Sequence, residues 1–179
     1  MRSMKLIVFM ATLLLAGFTT NGFAGTAHEF DVKAYTKISK KTIGKIITGN
    51  VDADKMQSDM EKLVAMGVEG CKEHMGEPET PAVEKKLMQL TIDNADKMMN
   101  MPLADIERDF HEGGTAKAAG IPIDKFSHFD EVMCHYDAVV HPATAVICLK
   151  EYKKSQDDDL LEQIKAELEE VIKHLTHLD

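Results

Sequence analysis

Apolar residues return every three to four positions along most of the chain, and runs that alternate apolar with polar residues are scarce. Such spacing places apolar side chains on one face of an α-helix. The pattern predicts helices over about 30–48, 52–75, 81–98, 102–110 and 124–152, and a last one that starts at about 157. Five or six amphipathic helices with short connections predict an all-α fold, a single-domain helical bundle.

Several residues mark the expected ends of these helices. Asp52 suits the N-cap of the second helix, and Pro81 suits the first turn of the third, where a missing N–H costs nothing. Residues 113–122 are rich in glycine and are predicted to form a loop. Pro142 has no N–H and disfavours helix in the residue before it, so we expect the fourth long helix to be kinked or split there.

The first 24 residues have the pattern of a secretory signal peptide. Arg2 and Lys5 give a positive start, an apolar run follows, and the small residue Ala24 stands before the expected cleavage position. The run is shorter than the ~20 residues that cross a bilayer. We therefore expect residues 1–24 to be removed and residues 25–179 to form the helical domain, in the periplasm or outside the cell.

Charge and hydropathy narrow the classes of partner. The formal net charge is −9, and the expected signal peptide contains two basic and no acidic residues, so the remaining domain is more acidic still. An acidic protein repels nucleic acids, so DNA and RNA are not expected partners. Beyond the signal peptide we identify no second long apolar run, and no membrane span is expected.

Three cysteines, Cys71, Cys134 and Cys148, leave several pairings open. An oxidising compartment favours a disulfide, and an odd number leaves one thiol over. On one straight helix, Cys134 and Cys148 would lie ~21 Å apart, too far to bond, whereas a chain reversal at Pro142 would bring them together. The alternatives are that Cys71 pairs with one of the other two cysteines, or that no disulfide forms.

The spacing of Cys71 and His74 is the best metal-like pattern in the chain. Residues three apart share a helix face, and both side chains are ligands for zinc or copper. A zinc site needs about four ligands, so a second pair is required. His128 and His135 are the chosen candidates, with Cys134 as a further one; the alternative is a core cysteine beside a histidine at a helix end.

Two further patterns suggest a cofactor. Met98, Met99 and Met101 are close-set thioethers of the kind that bind Cu(I), although methionine also fills helical cores. Cys134 and His135 lack the other cysteine of a c-type haem attachment motif, since Glu131 stands in its place. Non-covalent haem with a histidine and a methionine as axial ligands stays open.

Motifs of catalysis are missing from the sequence. His128, Glu131, His135 and His141 place four metal ligands within fourteen residues, but the paired Glu-x-x-His motifs of di-iron bundles do not occur. Neither Gly-x-Ser-x-Gly nor His-Glu-x-x-His is present. An enzyme is therefore the least favoured class.

The sequence favours an exported helical binding or interaction module. Its pocket is expected between the second and fourth long helices, where a metal ion (copper or zinc) or a haem-like ligand would bind. The alternative is a stress or assembly factor that acts through its surface, with structural cysteines and no ligand. A metal- or thiol-dependent enzyme is the third hypothesis.

Overall fold

The computed structural model describes residues 30–178, and every regular element among them is helical. The all-α prediction is therefore confirmed for this part of the chain. The expected signal peptide, residues 1–24, lies outside the described residues.

Long helices make up most of the structure, with short helical segments between the third and the sixth. The α-helices are α1 (Val32–Ile47), α2 (Ala53–Gly76), α3 (Ala82–Met98), α4 (Leu103–Ile106), α5 (Gly114–Ala118), α6 (Glu131–Ser155) and α7 (Asp159–Leu175). A π-helical turn, Glu107–His111, continues α4, and a 3₁₀ turn, Ile123–Lys125, precedes α6.

Side-chain caps explain where the first two helices begin. A carboxylate oxygen of Asp31 accepts a hydrogen bond from the N–H of Ala34, and Asp52 accepts one from Lys55. Each bond satisfies one of the N–H groups that a helix start leaves without a partner. The predicted cap at Asp52 is therefore confirmed.

Residues 113–122 are not simply a loop, because α5 begins at Gly114. Gly113 has a left-handed backbone, with φ of 73°, which a glycine adopts without strain. A Cβ there would lie 2.5 Å from the side chain of Ile123. The glycines that predicted a loop serve instead to turn the chain tightly from the π-helical turn into α5.

The central helix of the bundle is α6. It packs against α2, α3 and α7, and α1 packs on α2 and α7. Every residue from Val132 to Leu149 is buried. Neighbours on all sides explain why α6, unlike α1 and α7, has no clear polar face.

Among residues 30–178, α6 is the helix that is long and apolar enough to cross a membrane, with a mean hydropathy of 1.3 over its most apolar stretch. That stretch is entirely buried against the other helices. The core helix of a bundle has the same length and composition, so we describe α6 as a core helix. That the chain does not cross a membrane stays a prediction.

Pro142 does not split α6, which runs unbroken from Glu131 to Ser155. The chain reversal that a Cys134–Cys148 disulfide would require is therefore absent, and Cys134 and Cys148 lie on one helix, ~21 Å apart along its axis. Cys71, Cys134 and Cys148 are all buried and free. The described cysteines therefore form no disulfide, which was one of the alternatives, and the Cys134–Cys148 pairing is wrong because the bundle packs around Pro142 instead of bending the chain back there.

Candidate metal centre

Three groups of two histidines and one carboxylate surround α6. Triad A is His111, His141 and Glu167; triad B is His128, Asp137 and His174; triad C is His74, Glu131 and His135. In each triad, one ligand atom from every residue lies within 4.8 Å of the others. Two histidines with one carboxylate form a common donor set for divalent zinc and iron.

The central helix contributes to all three triads. Glu131 and His135 are four residues apart on α6, as are Asp137 and His141. Residues with this spacing lie on one face of a helix. The second pair lies about 120° around the helix from the first. One helix therefore presents ligands in two directions, toward α2 with His74 and toward α7 with Glu167 and His174.

The closest pair of ligand atoms in triad B is buried and does not form a hydrogen bond. Oδ2 of Asp137 and Nδ1 of His174 lie 2.7 Å apart, and their side chains are only 6% and 4% exposed. Neither atom has a hydrogen-bond partner, because the oxygen does not lie along the N–H direction of the ring. Nδ1 of His128 lies 3.8 Å from the same oxygen.

Ligands of a shared ion have a similar arrangement. Two atoms about 2.1 Å from one metal are about 3 Å apart at right angles and about 3.4 Å apart at the tetrahedral angle of a zinc site. Buried polar atoms are otherwise nearly always hydrogen-bonded. The facing atoms of Asp137 and His174 are close enough to bind one ion, and neither atom has a hydrogen-bond partner.

The electrostatics of triad B keep Asp137 ionised. Burial acts to raise the pKa of Asp137, but His128 and His174 outweigh it, and the pKa is lowered from its ordinary value. Asp137 in turn raises the pKa of His128. A buried carboxylate that stays charged needs compensating positive charge, which the histidines supply only when protonated.

Triad A lies next to triad B. Nδ1–H of His141 donates to Oε2 of Glu167 at 2.7 Å, and Nε2 of His111 lies 3.8 Å from the same oxygen. Burial acts to lower the pKa of His141, yet the carboxylates of Glu167 and Asp137 raise it overall. The rings of His141 and His174 are 5.8 Å apart between centroids, so the two triads form one polar cluster.

A cavity of about 330 Å³ opens onto this cluster. Its walls include residues of both triads together with Glu170, and no lysine or arginine is among them; the ligand residues that line it are His111, His128, Asp137 and His141. His111 belongs to the π-helical turn, an element often found at functional sites. Ions at triads A and B would therefore face space large enough for a small ligand.

Triad C lies at the junction of α2 and α6. His74 is in the last turn of α2, and Glu131 and His135 are in the first turns of α6. The rings of His74 and His135 are 5.2 Å apart between centroids. Burial, and then the charge of His74, lower the pKa of His135 to about 4, so that His135 is neutral at pH 7.

The predicted ligands are divided between two of these groups. His74 and His135 come together in triad C, whereas His128 belongs to triad B. The Cys71 thiol instead donates to the carbonyl of His135, and burial raises its pKa to about 12. Met98 lies fully buried in the core, as expected if the methionines of this cluster fill the core instead of binding copper.

Sequence reasoning missed Asp137 on α6 and the members of triads A and B on α7 and in the π-helical turn, namely Glu167, His174 and His111. A signal was available, because an acid is followed four residues later by a histidine at five places, among them Glu107–His111 and Asp124–His128. Three of the five lie within α6 and α7, namely Glu131–His135, Asp137–His141 and Glu170–His174. Each pair shares a helix face. What the sequence does not give is which pairs meet in space.

Comparison of the chain with protein-family models, with curated proteins and with solved structures gives no match.

Proposed function

We propose that this is an exported metal-binding protein that holds a divalent transition-metal ion at triad B. The observation that carries the proposal is the buried pair Asp137 and His174, whose facing atoms are 2.7 Å apart and have no hydrogen-bond partner. A cation between them and His128 would complete the bonding of all three side chains.

The charge around the cavity supports a bound cation. Asp137 and Glu170 border it, and Glu167 lies behind His141, while its walls contain no lysine or arginine. Burying a carboxylate without compensation is costly. A divalent ion supplies the missing positive charge without requiring several neighbouring histidines to be protonated together.

The donor atoms favour particular ions. Imidazole nitrogen and carboxylate oxygen suit Zn²⁺, Fe²⁺ and similar divalent ions, whereas Cu(I) prefers thiolate and thioether sulfur. Cys71 and Met98, the sulfur ligands expected from sequence, are buried and belong to none of the triads. Zinc is therefore the better of the two metals that the sequence suggested.

Triad A is the position for a second ion. His141 and Glu167 are already hydrogen-bonded, so an ion there would displace one proton. The 5.8 Å between the rings of His141 and His174 is short enough for two ions to share one cavity. We propose two ions at this cavity, with triad B filling first because its ligand atoms have no other partners.

Export remains part of the proposal and is supported by the pattern of the first 24 residues. An acidic domain outside the cytoplasm would bind cations and repel nucleic acid. The primary function that we propose is the binding of metal ions. The cavity also leaves room for a small ligand beside the ions, and catalysis would need a substrate that reaches them.

Metal analysis of the purified protein tests the proposal. The protein is stripped with EDTA, titrated with Zn²⁺ and followed by calorimetry, and its metal content is measured by mass spectrometry. Asp137→Asn and His174→Gln should each remove the tightest ion. Asp96→Asn and His177→Gln change exposed residues of the same types and should bind as the unaltered protein does.

Two results would overturn the proposal. Folded Asp137→Asn that binds Zn²⁺ as tightly as the unaltered protein would exclude triad B. An unaltered protein that binds no Zn²⁺, Fe²⁺ or Co²⁺ would favour the surface-acting factor with no ligand, and a Soret band in the absorption spectrum would favour haem instead.

A further inference from the structure

Triad C has features of a metal site that are independent of the cavity. Nδ1 of His74 is buried and has no hydrogen-bond partner, and it lies 3.7 Å from Oε1 of Glu131. Nε2 of His135 lies 4.0 Å from the same oxygen. One ligand atom from each of the three residues lies within 4.8 Å of the others, so a small movement of the exposed Glu131 side chain would let one ion bind all three, since ligands of one ion lie within about 4 Å of each other.

A second carboxylate holds His74 in place. Its Nε2–H donates to Oε2 of Glu84, on α3, at 2.9 Å. This bond fixes the ring and leaves Nδ1 as the free lone pair that faces Glu131. Metal-ligating histidines almost always donate their other N–H to a carboxylate or carbonyl in this way. The hydrogen bond therefore prepares His74 to bind a metal.

The main chain of α2 leaves room for the other imidazole. A Cβ on Gly70 would lie 2.8 Å from Nδ1 of His135 and 2.9 Å from the ring of Phe30. The glycine at this position therefore lets the His135 ring approach the main chain of α2 closely. The close approach brings His135 beside His74 at the end of that helix.

The surroundings of triad C are acidic and open to solvent. A cavity of about 160 Å³ is bordered by Glu73, Glu77 and Glu131, and no lysine or arginine lines it. The side chain of Glu131 is 56% exposed, whereas those of His74 and His135 are 5% and 8% exposed. Two fixed imidazoles and one accessible carboxylate thus leave an ion a route in from solvent.

We propose that triad C is a second, separate metal site, which takes a divalent first-row ion such as Zn²⁺ through His74, His135 and Glu131. It shares no ligand with triads A and B. Its open cavity and its exposed carboxylate make it a site that exchanges its ion with solvent, whereas the buried pair Asp137 and His174 of triad B favours retention of an ion.

Titration of the EDTA-treated full chain with Co²⁺, followed by visible absorption, tests this proposal. Glu131→Gln removes an exposed ligand without opening the core, and it should lower the number of bound ions by one. Glu84→Gln keeps a hydrogen-bond acceptor but removes the charge, and it should weaken one class of site about 10–100-fold. Glu79→Gln makes the same change at an exposed loop position and should alter neither the number of bound ions nor their affinity.

The cavity variant Asp137→Asn separates this proposal from the proposed function. It should keep the ion that Glu131→Gln loses, whatever happens at triads A and B. The proposal is wrong if folded Glu131→Gln and His74→Gln both bind as many Co²⁺ ions, with the same affinity, as the unaltered protein.

Discussion

The hydroxyl of Tyr35, on α1, donates a hydrogen bond of 2.9 Å to the main-chain carbonyl of Ala138, on α6. In an ordinary helix that carbonyl would accept from the N–H four residues later, but residue 142 is a proline and has none. A side chain from a neighbouring helix therefore satisfies the carbonyl that Pro142 leaves free, and α6 continues unbroken.

Replacing Tyr35 with phenylalanine should destabilise the fold. The substitution removes the donor and leaves the buried Ala138 carbonyl without a partner, which costs about 1–3 kcal/mol. Urea denaturation measures the loss. A double-mutant cycle provides the control, because Pro142→Ala restores the backbone N–H, and Tyr35→Phe should then cost clearly less. Equal costs in both backgrounds would contradict this explanation.

Gly67 is a point of close contact between α2 and α6, and we expect Gly67→Ala to force these helices apart. A Cβ there would collide with the carbonyl oxygen of Ala138, and it would lie 2.7 Å from the carbonyl carbon and 2.9 Å from the Val139 side chain. Backbone atoms cannot move aside cheaply, so the variant should lose about 1–3 kcal/mol.

Gly44 provides the matched control for Gly67. It is also inside a helix, but a Cβ there meets nothing within 4 Å. Gly44→Ala should therefore leave stability unchanged or raise it by about 0.5–1 kcal/mol, because alanine loses less backbone entropy on folding. Thermal melts of both variants check the pair, and similar losses in the two would contradict the packing explanation.

The three thiols should be inert in the folded protein. Burial raises the pKa of Cys71 to about 12 and, with Asp137 nearby, that of Cys134 to about 11. Burial and the charge of Glu167 raise the pKa of Cys148 to about 12. The thiolate is the reactive form, so little of it is present at pH 8.

Ellman's reagent measures this inertness. Native protein at pH 8 should release less than one equivalent of colour per chain, and protein in guanidinium should release three, one for each free cysteine. Ser155→Cys, at an exposed position, provides a control with one reactive thiol. A single reactive thiol in denaturant would indicate a disulfide and contradict the structure.

The helices at the edge of the bundle were the predictable part of the fold. In α1 and α7 the apolar residues follow one face, because a helix with one side in solvent has apolar residues on its buried face and polar residues on the other. Asp52 also marks the start of α2. In α6, buried on all sides, polar residues such as Asp137 lie inside and the periodicity is lost. Pro142 suggested a break there because Tyr35, whose hydroxyl binds the Ala138 carbonyl that Pro142 leaves free, is distant in sequence.

The triads were predictable only in fragments, for a related reason. Acid and histidine four residues apart share a helix face, and that local geometry can be inferred from the sequence. The third ligand of each triad comes from another element, such as His74 from α2 or His111 from the π-helical turn. Which elements meet depends on packing around α6, and one sequence does not determine it.

Without metal, the stability of the protein should fall between pH 6.5 and pH 4 because of His135. Its folded pKa is lowered to about 4 from an ordinary value of 6.5, so in this range the unfolded chain binds the proton and the folded chain does not. The contribution is fully present above pH 6.5 and is lost as the pH falls to the folded pKa. Its size is of the order of 3 kcal/mol.

Urea denaturation in EDTA at several pH values between 4 and 7 measures this contribution. His135→Gln has no ionisable ring at this position, so its unfolding free energy should depend less on pH across the range than that of the unaltered protein. His177→Gln removes an exposed histidine and should keep the full dependence. Parallel curves for the unaltered protein and His135→Gln would mean that His135 takes up its proton in the fold as readily as in the unfolded chain, against its burial beside His74.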